Sequence, residues 1–322
     1  MGLNHIHQVD EKSKIVPKWR FSNMKKMRLP LLIALGVAII GIVFGSFFDL
    51  QISQAIASPT NGFALAVSAI CPTIGFAVVA AMGGGFIAFI IKGKYPIFLK
   101  VIFGILAACC FGVSIYYPGG EYFGINGFYE AAPQWVGYLI VILPEGAAAF
   151  GGYLLFKDCK NDKMWIIFSI IIVMLLIGLL AVIPTIKDNM HRPRFRLIST
   201  TDVVGFHQWW EPCLEYNELK DSFPHDNFKS FPSGHTAETA ILLVGVTFFP
   251  MADEKYEKYQ LPLFLGSCGI LLLLALARIM AAAHFLSDVS MGATIIVGLL
   301  TIANEIVVHV KPLHVQRETE AN

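Results

Sequence analysis

Uncharged apolar runs constrain this chain more than any other feature. Met164–Ile186 carries no charged residue, and neither does Pro30–Phe48. A helix needs roughly 20 mostly apolar residues to cross a bilayer. Eight spans are expected: about Pro30–Phe48, the later half of Gln51–Ile91, about Pro96–Tyr116, about Gln134–Phe156, Met164–Ile186, about Ser233–Pro250, about Leu263–Ala283 and about Ser287–Val310. Hydrophobic residues make up 56% of the chain and charged residues 15%, against about 25% charged in soluble domains. The expected fold class is therefore all-α: a polytopic helical membrane protein of about eight transmembrane helices. Residues 1–29 read as a basic cytoplasmic segment, 30–163 as N-terminal transmembrane helices, 164–310 as a second helical unit and 311–322 as a cytoplasmic tail. The polar, basic start runs straight into a full-length span, the pattern of an uncleaved first helix rather than a signal peptide.

Charge gives an orientation. Lys and Arg concentrate on the cytoplasmic side of membrane proteins. With both termini inside, seventeen of the 24 basic residues fall on inner segments, from Lys12 and Arg28 through Lys92–Lys100, Lys157–Lys163, Lys255 and Lys258 to Lys311 and Arg317. The loops expected at 49–66 and 117–133 contain no Lys or Arg. The remaining seven are Lys187, Arg192, Arg194, Arg196, Lys220, Lys229 and Arg278, all on or near one outer region. Positive charge there points to an anionic substrate. The basic residues form no nucleic-acid motif. The N-terminal ones read as topology determinants touching anionic lipid heads. Six cysteines show no paired metal-ligand spacing and no disulfide framework is expected.

Three segments carry candidate chemistry, all on the outer side in this topology. Lys187 to Arg194 follows the fifth span. Pro232-Ser233-Gly234-His235 opens the sixth, where a hydroxyl, a glycine and free backbone N–H groups suit an anion; an ordinary capped helix reads the same way. Arg278, His284 and Asp288 join the seventh and eighth. If that stretch is helical, His284 and Asp288 share a face at i, i+4, an arrangement in which Asp288 can orient the imidazole and leave the other ring nitrogen as nucleophile; an interfacial histidine at a helix start, with an aspartate near the positive helix end, reads the same way. Arg278 at the end of an apolar helix either faces a polar cavity or snorkels to the interface. Lys187, Arg194 and Arg278 supply the cations that phosphoryl transfer needs.

Together the segments resemble the three-part signature of the type 2 phosphatidic acid phosphatase superfamily: Lys-x6-Arg-Pro, Pro-Ser-Gly-His and Ser-Arg-x5-His-x3-Asp. Order and spacings match over about Met164–Val310, with Phe195 in place of Pro and Ala277 in place of Ser. The resemblance implies a phosphatase-like helical core and a metal-free, cofactor-free site. It implies that His284 attacks phosphorus, Asp288 orients His284, and His235 protonates the leaving oxygen. Lys187, Arg194, Ser233, Gly234 and Arg278 would hold the phosphoryl oxygens. The expected substrate is a lipid phosphate or lipid pyrophosphate on the extracytoplasmic face. Membrane lipids are expected neighbours, and no nucleic acid or protein partner is assigned. Lipid phosphotransfer, sugar-phosphate hydrolysis and a non-enzymatic transporter or scaffold with a relict site are the competing readings.

Other features are less directed. Glu145, mid-span beside Pro144, reads either as lining a headgroup path or as a packing residue at a kink. The aromatic segment Leu197–Ser230 reads as an interfacial anchor or a substrate-selecting cap. His191, Arg192 and Arg196 either assist binding or are solvated. Gly83-Gly84-Gly85 reads as a close helix contact.

Overall fold

A computed structural model describes residues 19–124, 135–159 and 164–309. The basic residues Lys12, Lys14, Lys18, Lys160, Lys163, Lys311 and Arg317, and most of the expected outer loop 117–133, lie outside the described residues.

The described chain is helical and contains eight helices long and apolar enough to cross a membrane. The first four are α1 (Trp19–Ile56), α2 (Gly62–Lys92), α3 (Ile97–Gly124) and α4 (Trp135–Phe156). The fifth span joins α5 (Met164–Leu176), a π-helical turn (Ile177–Val182) and α6 (Ile183–Met190). Short helices α7 (Phe195–Ile198) and α8 (Tyr216–Leu219) follow. The sixth span comprises α9 (Gly234–Ala240), α10 (Leu242–Phe248) and a closing 3-10 turn, Phe249–Ala252. The last two spans are α11 (Glu257–Met280) and α12 (Leu286–His309).

Several boundaries differ from the sequence expectation. α1 runs through Pro30 and extends past Phe48 to Ile56, so Asp49 belongs to a helix and not to an outer loop. α2 starts at Gly62, where the Asn61 side chain accepts the Ala64 N–H at 3.0 Å and caps the helix. α11 begins six residues earlier than expected, with Glu257 in its positive first turn, and ends at Met280.

Phenylalanines fill the bundle interior. Phe86, Phe89, Phe103, Phe156, Phe168 and Phe249 meet ring to ring at 4.7–6.4 Å, joining α2, α3 and α4 to the fifth and sixth spans. The outward apolar side chains of α1, among them Leu32, Ile40 and Phe47, are exposed as lipid-facing residues would be. The glycine run serves close packing: a Cβ at Gly84 would overlap the Ala149 carbonyl oxygen, and one at Gly152 would overlap that of Ala81. Only glycine lets α2 and α4 cross this closely. Glu145 is buried in α4 and has no hydrogen-bond partner among the described residues.

Polar ties fix the relative direction of the helices. Near the start of α1, Lys26 pairs with Glu257 at the start of α11, and Arg28 forks onto Glu305 near the end of α12, with Nε 2.7 Å from Oε1. Near its other end, Asp49 meets Ser287 at the start of α12. The termini of α11 and α12 that bear Arg278 and Asp288 therefore share one end of the bundle with Asp49.

Candidate active site

The turn between α11 and α12 sets the spacing from Arg278 to His284. Its backbone forms a Schellman closure: Ala283 N–H bonds the Arg278 carbonyl at 3.2 Å and Ala282 N–H bonds that of Ile279 at 2.9 Å. Ala282 takes the left-handed conformation this closure needs, at φ 54°. His284 N–H also reaches the Arg278 carbonyl, at 3.3 Å. His284 thus precedes α12 and is held by the end of α11.

Backbone bonds draw the other two segments to this turn. Arg196 N–H donates to the Ala282 carbonyl at 3.0 Å, and Ser233 N–H to that of Asp288 at 2.9 Å. Ser233 caps α9, its hydroxyl accepting from the Thr236 hydroxyl at 2.9 Å. Lys187, in the single α-helical stretch that follows the π turn, donates to the Lys229 carbonyl at 2.8 Å. Arg194 donates to Asp226 at 2.6 Å, and Asp226 also pairs with Arg196. Burial favours the neutral acid at Asp226, but Arg194 and Arg196 outweigh it and hold the carboxyl below its usual range.

A cavity of about 530 Å³ results. Lys187, Arg194, Gly234, His235, Arg278 and His284 line it, drawn from segments up to 97 positions apart, between Lys187 and His284. Leu65, Tyr117, Leu179 and Ile183 supply an apolar side, and Glu238 lines it as well. Ser233 and Asp288 are buried but are not among the lining residues. Glu145 is not among them either.

His284 is held differently from the expectation. Its Nδ1 lies 2.6 Å from the Ser230 carbonyl oxygen and 3.8 Å from Asp288 Oδ2. A carbonyl only accepts, so Nδ1 carries the proton and Nε2 keeps its lone pair. The expected direct Asp288–His284 hydrogen bond is thus an electrostatic contact. The reason is that α12 begins at Leu286, so the pair is not on one regular helical face. Asp288 is occupied elsewhere: Oδ2 accepts from the Ser230 hydroxyl at 2.5 Å and from Phe285 N–H at 2.7 Å, and Oδ1 from Arg192 at 2.5 Å. Ser230 links the two residues, through its hydroxyl to Asp288 and its carbonyl to His284. Burial lowers the pKa of His284 well below the ordinary histidine range. Arg278, Arg194 and Lys187 push the same way, and Asp288 opposes them.

Three participants escaped the sequence reading. Arg192 is neither solvated nor lining the cavity: it is fully buried and paired with Asp49 and Asp288. Part of the positive excess at this end of the bundle is therefore balanced inside the protein. Asp49 was assigned to a loop, although a carboxylate at the end of an apolar run is itself a signal of buried polar pairing. Ser230 has no signature in sequence, because it acts through its backbone carbonyl as much as its hydroxyl.

The segment from Leu197 to Ser230 folds over this end of the bundle. Leu197, Val204, Cys213 and Phe228 form a small core of their own. Trp209 donates to Ser46 of α1 at 2.9 Å and stacks on Phe231. It is thus a packed cap, with Trp210 and Leu214 left exposed. Within the cap, His207, Cys213 and Glu215 bring one candidate metal-ligand atom each within 4.8 Å of one another. None of the three lines the cavity.

Buried imidazoles beside fixed cations suit nucleophilic attack on a phosphoryl group. Comparison with known proteins points the same way: residues 162–311 match the family model described as the PAP2 superfamily. No curated protein and no solved structure matches the chain.

Proposed function

The PAP2-superfamily match over residues 162–311 implies phosphatase-type activity on phosphate esters, and from it we propose that this integral membrane protein hydrolyses lipid phosphate monoesters or lipid pyrophosphates through a phosphohistidine on its extracytoplasmic face. One observation carries the reading: Lys187, Arg194, Arg278, His235 and His284 line a single cavity, with His284 Nδ1 bonded to the Ser230 carbonyl.

Each residue then has a task. The Nε2 lone pair of His284 attacks phosphorus, and the bond from phosphorus to the leaving oxygen breaks. His235 delivers its proton to that oxygen. Lys187, Arg194 and Arg278 balance the charge spread over the other phosphoryl oxygens. The Gly234 backbone holds the same group, and Ser233, whose hydroxyl caps α9 beside it, fixes that helix start. Water, giving its proton to His235, then cleaves the phosphorus–nitrogen bond, releases phosphate and restores both histidines. The apolar side formed by Leu65, Leu179 and Ile183 supports an amphiphilic substrate whose tail stays in lipid.

Purified protein is expected to release phosphate from members of a panel of lipid phosphates and lipid pyrophosphates. Turnover of a sugar phosphate with none of any lipid would overturn the substrate class. His284→Ala should abolish release while its elution profile and melting temperature remain those of a folded protein. Unchanged turnover in that variant would exclude the mechanism.

A further inference from the structure

Arg192 and Asp49 lie outside the three motif segments' phosphate-facing groups, yet they form a fully buried, multiply bonded charged cluster at this end of the bundle. The Arg192 guanidinium has no exposure. Its Nε donates to the His207 carbonyl at 2.9 Å, Nη1 to the Ser287 hydroxyl at 2.8 Å and to Asp288, and Nη2 to Asp49 Oδ2 at 2.9 Å. Its flat face rests 4.3 Å from the centre of the Phe285 ring. Asp49 in turn accepts the Ser287 N–H at 2.9 Å and the Ser287 hydroxyl. A Cβ at Gly45 would come within 2.7 Å of both Asp49 Oδ1 and Ser287 N, so the glycine admits α1 to this contact.

Burying an arginine and two aspartates is costly unless every charge is matched. A lone Asp288–Arg192 pair would satisfy part of the guanidinium fork only. Asp49 completes it and also serves the first turn of α12, where N–H groups lack helical partners. The chain of bonds runs from Asp49 to Arg192, to Asp288, to the Ser230 hydroxyl, and through the Ser230 carbonyl to His284 Nδ1. Asp49 stands on the first helix, 113 positions before the start of the matched region at 162.

We propose that Asp49 of α1 and Arg192 are positioning residues of the phosphatase site, clamping Asp288 so that Ser230 and the His284 imidazole hold their geometry. This rests on the functional reading above. It also gives the first helix, outside the matched region, a part in the chemistry. Neither residue lines the cavity, so neither touches substrate.

The test compares full-length wild type with Asp49→Asn and Arg192→Lys, using the lipid phosphate that wild type turns over. Arg192→Lys keeps a charge between the two carboxylates but loses the planar fork, so it remains informative if Asp49→Asn does not fold. Each variant should retain KM and lose about 10²-fold in kcat, the scale of a catalytic group misplaced by ~1 Å. The pH profile separates positioning from mere packing. His284 is faced by Lys187 of α6, Arg194, Arg278 of α11 and Asp288 of α12, with His235 and Glu238 of α9 in the same cavity. In Asp49→Asn the whole Arg192 charge falls on Asp288, whose field on His284 weakens. The acid limb of kcat/KM should then move to lower pH. Folded variants with wild-type kcat and an unmoved acid limb would overturn the proposal, as would a loss confined to KM. Wild type inactive on every phosphate ester would instead remove the functional reading, and the proposal with it.

Discussion

At the scale of single residues, the histidine proposed as nucleophile, His284, also bears on stability. Burial, helped by the cations around the ring, holds its pKa well below the ordinary histidine value of about 6.5. The unfolded chain therefore binds a proton at this position that the folded chain does not. Stability from this group is full above about 6.5 and is lost as pH falls toward the depressed folded value. Melting temperatures measured downward from pH 7 should fall less steeply in His284→Asn than in wild type. Equal slopes would mean that His284 does not carry the acid sensitivity. That Lys187, Arg194, Arg278, His235 and His284 share one cavity was legible in sequence, because their three segments keep a fixed order and spacing. The manner in which His284 is held was not. It depends on Ser230, which reaches it through a backbone carbonyl 54 positions away, and a carbonyl is common to every residue type.

Elements obey the same division. Spans were legible because a bilayer demands length and apolarity, and their ends were not, because tertiary pairing decides them. Asp49 breaks an apolar run, which in sequence reads as the end of the span. The helix continues to Ile56 because its carboxylate is matched by Arg192, 143 positions away. The seventh span was expected to reach Ala283, but left-handed Ala282 closes it at Met280, and alanine carries no turn signature. Glycines at helix crossings were easier to read, as the run at Gly83-Gly84-Gly85 illustrates. Gly152, its counterpart on α4, supplies a prediction. A valine there would drive into the Ala81 carbonyl, an obstacle that no rotamer change removes. Overpacking typically costs about 1–3 kcal/mol, and a backbone obstacle belongs at the upper end. Gly152→Val should melt several degrees below wild type in the same detergent, whereas Gly151→Val, with open space around its Cβ position, should melt near it. Indistinguishable melting curves for the two would refute the close crossing of α2 and α4.

For the whole molecule, the open matter is which side of the membrane the cavity faces. The proposed orientation rests on charge: among the described residues, Lys26, Lys255 and Lys258 lie together at the end of the bundle where α1 begins, while Lys187, Arg194, Arg196, Lys229 and Arg278 line the cavity at the other end. Arg192 is neutralised by two aspartates and Arg196 pairs with Asp226, so the effective positive excess at the cavity end is smaller than the residue count. In the proposed orientation, with the site extracytoplasmic, the cap faces the exterior. Leu214, 83% exposed on the cap, and Lys94, exposed between α2 and α3, should lie on opposite sides. With the native cysteines replaced, a membrane-impermeant maleimide added to intact cells should label Leu214→Cys strongly and leave Lys94→Cys unlabelled until the membrane is opened. The reverse pattern would turn the site toward the cytoplasm and exclude substrates confined to the outer leaflet, while leaving the chemistry at His284 untouched.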